Sequence, residues 1–102
     1  MAQFDFYDYA GPNRFVAYLL DVQSDLLQGL ASRVVVPLIR LDAFGPQMKK
    51  LNPVFAINGV DYVMATSEIA GIPLKALGRR AGSLGVHRHE IKGAIDFLQD
   101  GY

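Results

Sequence analysis

The chain has 102 residues, with ten basic and ten acidic side chains that cancel at neutral pH, 51% hydrophobic residues and no cysteine. A length of 102 allows one small domain, residues 1–102, of a size often helped by dimerisation. The lack of cysteine excludes a disulfide framework and a thiolate zinc site, and zero net charge argues against a protein that holds nucleic acid by neutralising phosphates. High hydrophobicity without net charge predicts self-association. No apolar run approaches the roughly 18 residues of a membrane span. Met1-Ala2-Gln3 leads into a strand pattern rather than a basic signal segment, so the reading is of a cytoplasmic protein.

Phe4 and Phe6 alternate with Asp5 and Tyr7, a first strand that runs out at the turn Gly11-Pro12-Asn13. Phe15 to Val22 is apolar almost throughout, as a strand buried on both faces would be, and should pair antiparallel with the first. Gln23 to Ser32 reads as a loop and Arg33 to Leu41 as the next strand, in which Pro37 predicts an edge position or a bulge. Asp42 to Asn52 is polar and irregular and should cross the surface before Pro53 opens a new strand. Val54 to Ile57 and Val60 to Thr66 flank Asn58-Gly59, the residue pair best suited to the positive φ angles of a type I′ hairpin turn. A short strand within Ile69 to Leu77 is interrupted by Pro73, and Gly78 to Gly85 reads as a loop. Ile91, Ala94, Ile95 and Leu98 then fall at helical spacing, an apolar stripe for one-sided packing. The prediction is a mainly β fold with one C-terminal α-helix, a small partly open barrel or sandwich.

Few groups point to chemistry. On a helix, His87 and His89 would diverge by roughly 200°, and no cysteine stands near them to complete a metal site, so they read as solvated helix-start residues. Asp21 and Asp25 fit side chains that cap a turn better than an acid pair in a cleft. Ser24, Ser67 and Ser83 lie in no nucleophile pattern. Lys75, Arg79, Arg80, His87, Arg88 and Lys92 form a local positive cluster whose default reading is a solvated face. The ten glycines match no phosphate-binding motif, so no nucleotide cofactor is implied.

Residues 20–38, LDVQSDLLQGLASRVVVPL, are the most informative stretch: an apolar strand closes in a polar turn, and the β-branched run Val34-Val35-Val36 stops at Pro37. This resembles the CcdB family, whose pattern D-V-Q-S-D, two aliphatics, a loop and R-x-V-I-P-L is met by Asp21 to Leu27 and Arg33 to Leu38. The resemblance continues through Pro53, Tyr62 to Thr66 and Ile72-Pro73-Leu74 to the helix His89 to Asp96, in order and without large gaps.

The resemblance implies an SH3-like small barrel of the type shared by CcdB and the MazF ribonucleases. It implies a toxin of a type II toxin–antitoxin pair that is a homodimer and not an enzyme. In the family, paired C-terminal helices enter the cavity between the arms of the DNA gyrase A subunit and trap gyrase on cleaved DNA. Carried over by position, the gyrase-binding residues are Leu26, Leu27, Asp96, Gln99, Asp100, Gly101 and Tyr102. This tail keeps the family's glycine but has Asp100 where the pattern aromatic–Trp–Gly–Ile has tryptophan. The second implied partner is a CcdA-like antitoxin, matched by the turn Tyr9 to Arg14 and the loop Asp42 to Met48, with Tyr9, Gly11, Asn13, Arg14, Phe44 and Met48 as candidates. No cofactor, metal or direct nucleic-acid contact is implied. Two rivals stand beside this reading: a MazF-like endoribonuclease on the same fold, and a non-toxic member that binds an antitoxin.

Overall fold

A computed structural model describes residues 2–101. Strands β1 (Asp5–Asp8) and β2 (Val16–Asp21) pair antiparallel with Phe6 opposite Leu20, as their hydrophobic patterns predict. The nine-residue strand β3 (Ser32–Arg40) lies beside β2. A single helical turn, α1 (Leu41–Phe44), follows. The hairpin of β4 (Val54–Ile57) and β5 (Val60–Met64) turns on Asn58 at φ 52° and Gly59 at φ 80°, the left-handed pair that a type I′ turn demands. With β6 (Ala70–Pro73) and β7 (Arg80–Ser83), the strands form one seven-stranded antiparallel sheet. Its order is β4-β5-β3-β2-β1-β7, with β6 also on β3, and it curls into a half-barrel closed off by helix α2 (Arg88–Asp100).

Two expectations are corrected here. Gly78 to Gly85 is not a loop throughout, because Arg80–Ser83 pairs with β1. The stretch Arg-Ala-Gly-Ser has no β-branched or aromatic residue, so its extended form comes from tertiary pairing rather than propensity. Gly82 lies opposite Phe6, and a Cβ there would stand 2.7 Å from the Phe6 ring. Pro37 occupies neither an edge strand nor a bulge: β3 is central, and Pro37 is in register with Leu19. Its carbonyl accepts the Ala65 N–H at 2.9 Å, so the side of Pro37 that lacks an N–H faces the gap between the end of β5 and the start of β6. A missing donor is harmless there.

The period-2 alternation of the strands separates two apolar clusters. Leu20, Val36 and Leu38 point to one face, where Phe4, Phe6, Phe55, Met64 and Leu84 meet Ile91 and Ala94 of α2. Leu19, Val35 and Ile39 point to the other, with Val16 and Ala65. The helical stripe is only partly buried: Ile91 and Ala94 are in the core, Ile95 packs against it, and Leu98, expected to complete the stripe, is 37% exposed. The buried residues of α2 all lie in its first half, which leaves the C-terminal turns standing clear of the core.

The segment between α1 and β4 is irregular, as expected, but pinned. Asn52 is buried; its side chain accepts the Met48 N–H at 3.0 Å and donates to the Met64 carbonyl at 3.1 Å. Thr66 donates its hydroxyl to the Leu51 carbonyl.

Candidate functional site

The loop after β2 is built from the polar residues the sequence supplies. Asp21 is fully buried: one carboxylate oxygen accepts the Gln23 N–H at 3.0 Å, while the other accepts Nε and Nη2 of Arg33 at 3.0 and 2.6 Å. The Gln23 side chain bridges both ends of the loop, donating to the Leu27 carbonyl at 2.8 Å and accepting the Val34 N–H at 3.0 Å. Ser24 caps the short 3-10 turn Asp25–Leu27 by accepting the Leu26 N–H, and Asp25 accepts the Gln3 N–H at 2.7 Å. The polar turn therefore has the structural role read from the sequence. Its product is a rigid loop that holds Leu26 out at 94% exposure, with Leu27 and Leu30 half exposed.

Helix α2 ends in the other part of the predicted gyrase patch. Asp96, Gln99 and Asp100 are exposed, and Gly101 at φ 81° closes the helix by donating its N–H to the Phe97 carbonyl at 2.8 Å, a left-handed C-cap that glycine adopts without strain. Tyr102 lies outside the described residues. Leu26 and Leu27 sit on a different element from the helix end, and among the described residues no hydrogen bond or shared core cluster joins the two.

The predicted antitoxin residues divide similarly. Tyr9 and Phe44, from distant parts of the chain, pack against the same second cluster. The Tyr9 hydroxyl accepts the Asn13 N–H at 3.3 Å, its ring lies where a side chain at Gly11 would have to go, and Asn13 caps the turn by accepting the Phe15 N–H. Arg14 stacks on Phe15 at 5.1 Å. Met48 is exposed on the pinned loop and is not part of that cluster.

Beside Asp21–Arg33 lies a second charge pair, Asp5–Arg80 at 3.0 Å, so Arg80 of the expected positive cluster is committed to a carboxylate. Burial alone would push the Asp5 carboxyl up, but the bond and charge of Arg80 with the Ala2 N–H hold it below its ordinary value. Burial pushes the Asp21 carboxyl up, against the pull of Arg33 and the Gln23 N–H. Tyr7, between these pairs, is pushed up by burial and by Asp5 and Asp21, and its buried hydroxyl has no hydrogen-bond partner. His87 precedes α2, stacks on Phe55 with ring centroids 4.9 Å apart, and meets Glu90 at 3.2 Å. Among the described residues no three His, Cys, Asp or Glu side chains converge as a metal site.

The order of strands, the loop between β2 and β3 and the C-terminal helix all fall within residues 3–101, which match the family model described as CcdB protein. The chain belongs to the CcdB family. CcdB proteins are toxins of toxin–antitoxin pairs, and poisoning of gyrase is typical of the family.

Sequence reasoning missed the buried Asp21–Arg33 pair, although both residues stand in the CcdB pattern, because a pairing across 12 positions has no local signature. It also passed over Leu30 and Leu74, exposed apolar residues that line two hollows sharing Ala31 and Pro73. The available signal was three leucines in seven residues of a loop otherwise polar or small, where solvent exposure is the rule.

Proposed function

We propose that this CcdB-family chain acts as a homodimer that binds the DNA gyrase A subunit and stabilises the cleaved gyrase–DNA complex, and that a CcdA-like antitoxin relieves it. The observation that carries this reading is Leu26, a large apolar side chain held almost wholly in solvent by a loop that the side chains of Asp21, Gln23 and Ser24 hydrogen-bond in place. An exposed apolar residue on a rigid turn is preorganised for a protein partner, because little conformational freedom is lost on contact. The exposed final turns of α2, with Asp96, Gln99, Asp100 and Gly101, supply the second contact, and Tyr102 extends it. A two-fold dimer presents each patch twice and so fits a two-fold target. Tyr9, Gly11, Asn13, Arg14, Phe44 and Met48 are the proposed antitoxin contacts; four of these lie within one turn, and Tyr9 and Phe44 share one apolar cluster.

The direct test is incubation of the purified protein with gyrase and supercoiled plasmid, followed by detergent and protease. Accumulation of linear DNA, with RNA left intact, is the expected result. No linear DNA together with specific RNA cleavage would replace this reading with the ribonuclease one. Light scattering at micromolar concentration should give twice the chain mass.

A further inference from the structure

A groove that starts at Gln47, in the proposed antitoxin loop, runs along α2 past Gly93 and Phe97. The segment after Met48 forms one wall with Lys49, Lys50 and Pro53, and the helix forms the other with Glu90, Gly93, Ala94 and Phe97. The cavity is about 460 Å³ and continues past Lys49 and Glu90 into a second hollow of about 400 Å³ that ends at Gln47 and Val54. Its walls are fixed, since Asn52 ties the loop to Met48 and Met64.

The composition of this groove is specific. Pro53 and Ala94 are buried and Phe97 is half-buried, so the floor is apolar. Lys49 and Lys50 have no ion-pair partner among the described residues, and two ammonium groups outnumber the one opposing carboxylate, Glu90, whose Oε1 lies 3.2 Å from the His87 ring. At Gly93 an added Cβ would meet nothing within 4 Å, so the helix surface is bare there and a chain can approach its backbone. Glycine in the middle of a helix is destabilising relative to alanine, and here no internal packing requires it.

We propose that this groove docks an acidic amphipathic peptide segment of a protein partner, with an apolar side chain over Gly93 and Ala94 and carboxylates against Lys49 and Lys50. Charge complementarity selects the occupant: one wall carries two uncompensated ammonium groups, and an apolar trough between them and the helix excludes a fully solvated polyanion. Apolar contact with Phe97 and Pro53 supplies affinity, and the lysines supply orientation.

The test is selection of a random peptide display library on the full-length protein, with counter-selection against Gly93→Leu. That variant projects an apolar side chain into the groove and favours the helix, and its Cβ meets nothing within 4 Å. Selected peptides should be acidic with at least one large apolar residue, should bind Gly93→Leu and the double variant Lys49→Glu, Lys50→Glu at least about tenfold more weakly, and should weaken with added salt. In amide chemical-shift titrations they should move Lys49, Lys50, Gly93 and Phe97. Neutral or basic winners, equal binding to Gly93→Leu, shifts confined to Leu26 or Tyr9, or no enrichment would each overturn the proposal. Shifts of Gly93 and Phe97 on simple dilution of the protein would overturn it too, by giving the groove to a second copy of the chain.

Discussion

Arg33 places Nε and Nη2 on a single carboxylate oxygen of Asp21, at 3.0 and 2.6 Å, with both side chains essentially inaccessible to solvent. The pair spans the base of the loop that carries Leu26, joining the end of β2 to the start of β3. Breaking a buried pair by removing one partner leaves an uncompensated charge and typically costs about 3–5 kcal/mol. Arg33→Met should therefore be severely destabilising, and Arg33→Met combined with Asp21→Asn should cost less than Arg33→Met alone. Denaturant titrations of the variants, compared through a double-mutant cycle, measure this; additive losses would show that the pair does not act as a unit.

Tyr7 presents the opposite case. A buried hydroxyl with no partner carries a desolvation penalty that phenylalanine does not. Tyr7→Phe is expected to raise stability by about 1 kcal/mol, unlike most core substitutions. The folded-state pKa of Tyr7 is raised above 10.0, so its contribution is fully present below that value and is lost as pH rises through the folded pKa. The variant should soften the alkaline decline without abolishing it, because Tyr18 is also raised, by burial and by Tyr62. Thermal melts across the alkaline range provide the comparison.

The acid limb falls to Asp5. Its carboxyl lies below the ordinary 3.8, so the stability it contributes is present above 3.8 and disappears as pH drops through the lower folded value. Arg80→Met removes the strongest lowering influence and leaves the Ala2 N–H to oppose burial. The penalty of this substitution should be evident at neutral pH and should shrink in acid below 3.8. A penalty independent of pH would mean that Arg80 acts through packing.

The proposed recognition of gyrase can be separated from folding at Leu26. At 94% exposure it contributes nothing to the core, so Leu26→Asp should change stability by no more than about 0.5 kcal/mol. The same change should weaken binding to the gyrase A arm domain by about 2 kcal/mol or more, the scale of an interface hot spot. Asp100→Trp should strengthen it by about 1–3 kcal/mol, since an aromatic replaces a carboxylate that loses hydration on entering a cavity. Deletion of Gly101 and Tyr102 should abolish poisoning while circular dichroism stays unchanged. Calorimetric titration measures all three, and unaltered affinities throughout would exclude the C-terminal patch and Leu26 from recognition.

What could be read from the sequence was whatever local chemistry determines. Asn58-Gly59 determines a hairpin by its backbone preference, and Ile91, Ala94 and Ile95 determine a helix face by their spacing. Arg80 to Ser83 was illegible as a strand because its extended form is imposed by β1. Leu98 was misread because periodicity specifies a face but not where the core beneath it ends. Pro37 was misplaced for a related reason: the rule against proline in central strands concerns a missing donor, and only the tertiary arrangement of β5 and β6 leaves that donor unneeded. Leu26, Leu27 and the helix end are proposed through the likeness to CcdB, whereas the Asp21–Arg33 pair depends on a fold that brings separate strands together.

The position of Pro37 has a mechanical consequence. One continuous strand, β3, serves β6 with its first half and β5 with its second, and at the proline between them a single bond, from the Ala65 N–H to the Pro37 carbonyl, replaces the ladder pairs. The β6 side, tied to the Leu26 loop through the bond from the Leu74 N–H to the Ala31 carbonyl, can peel away while the β4–β5 hairpin remains fully bonded. Native-state amide exchange should accordingly fall into two classes, with Ala70 and Ile72 released by a small local opening and Val63 and Met64 only by global unfolding. The toxin would then carry its exposed leucines on the more compliant half of an otherwise stiff sheet.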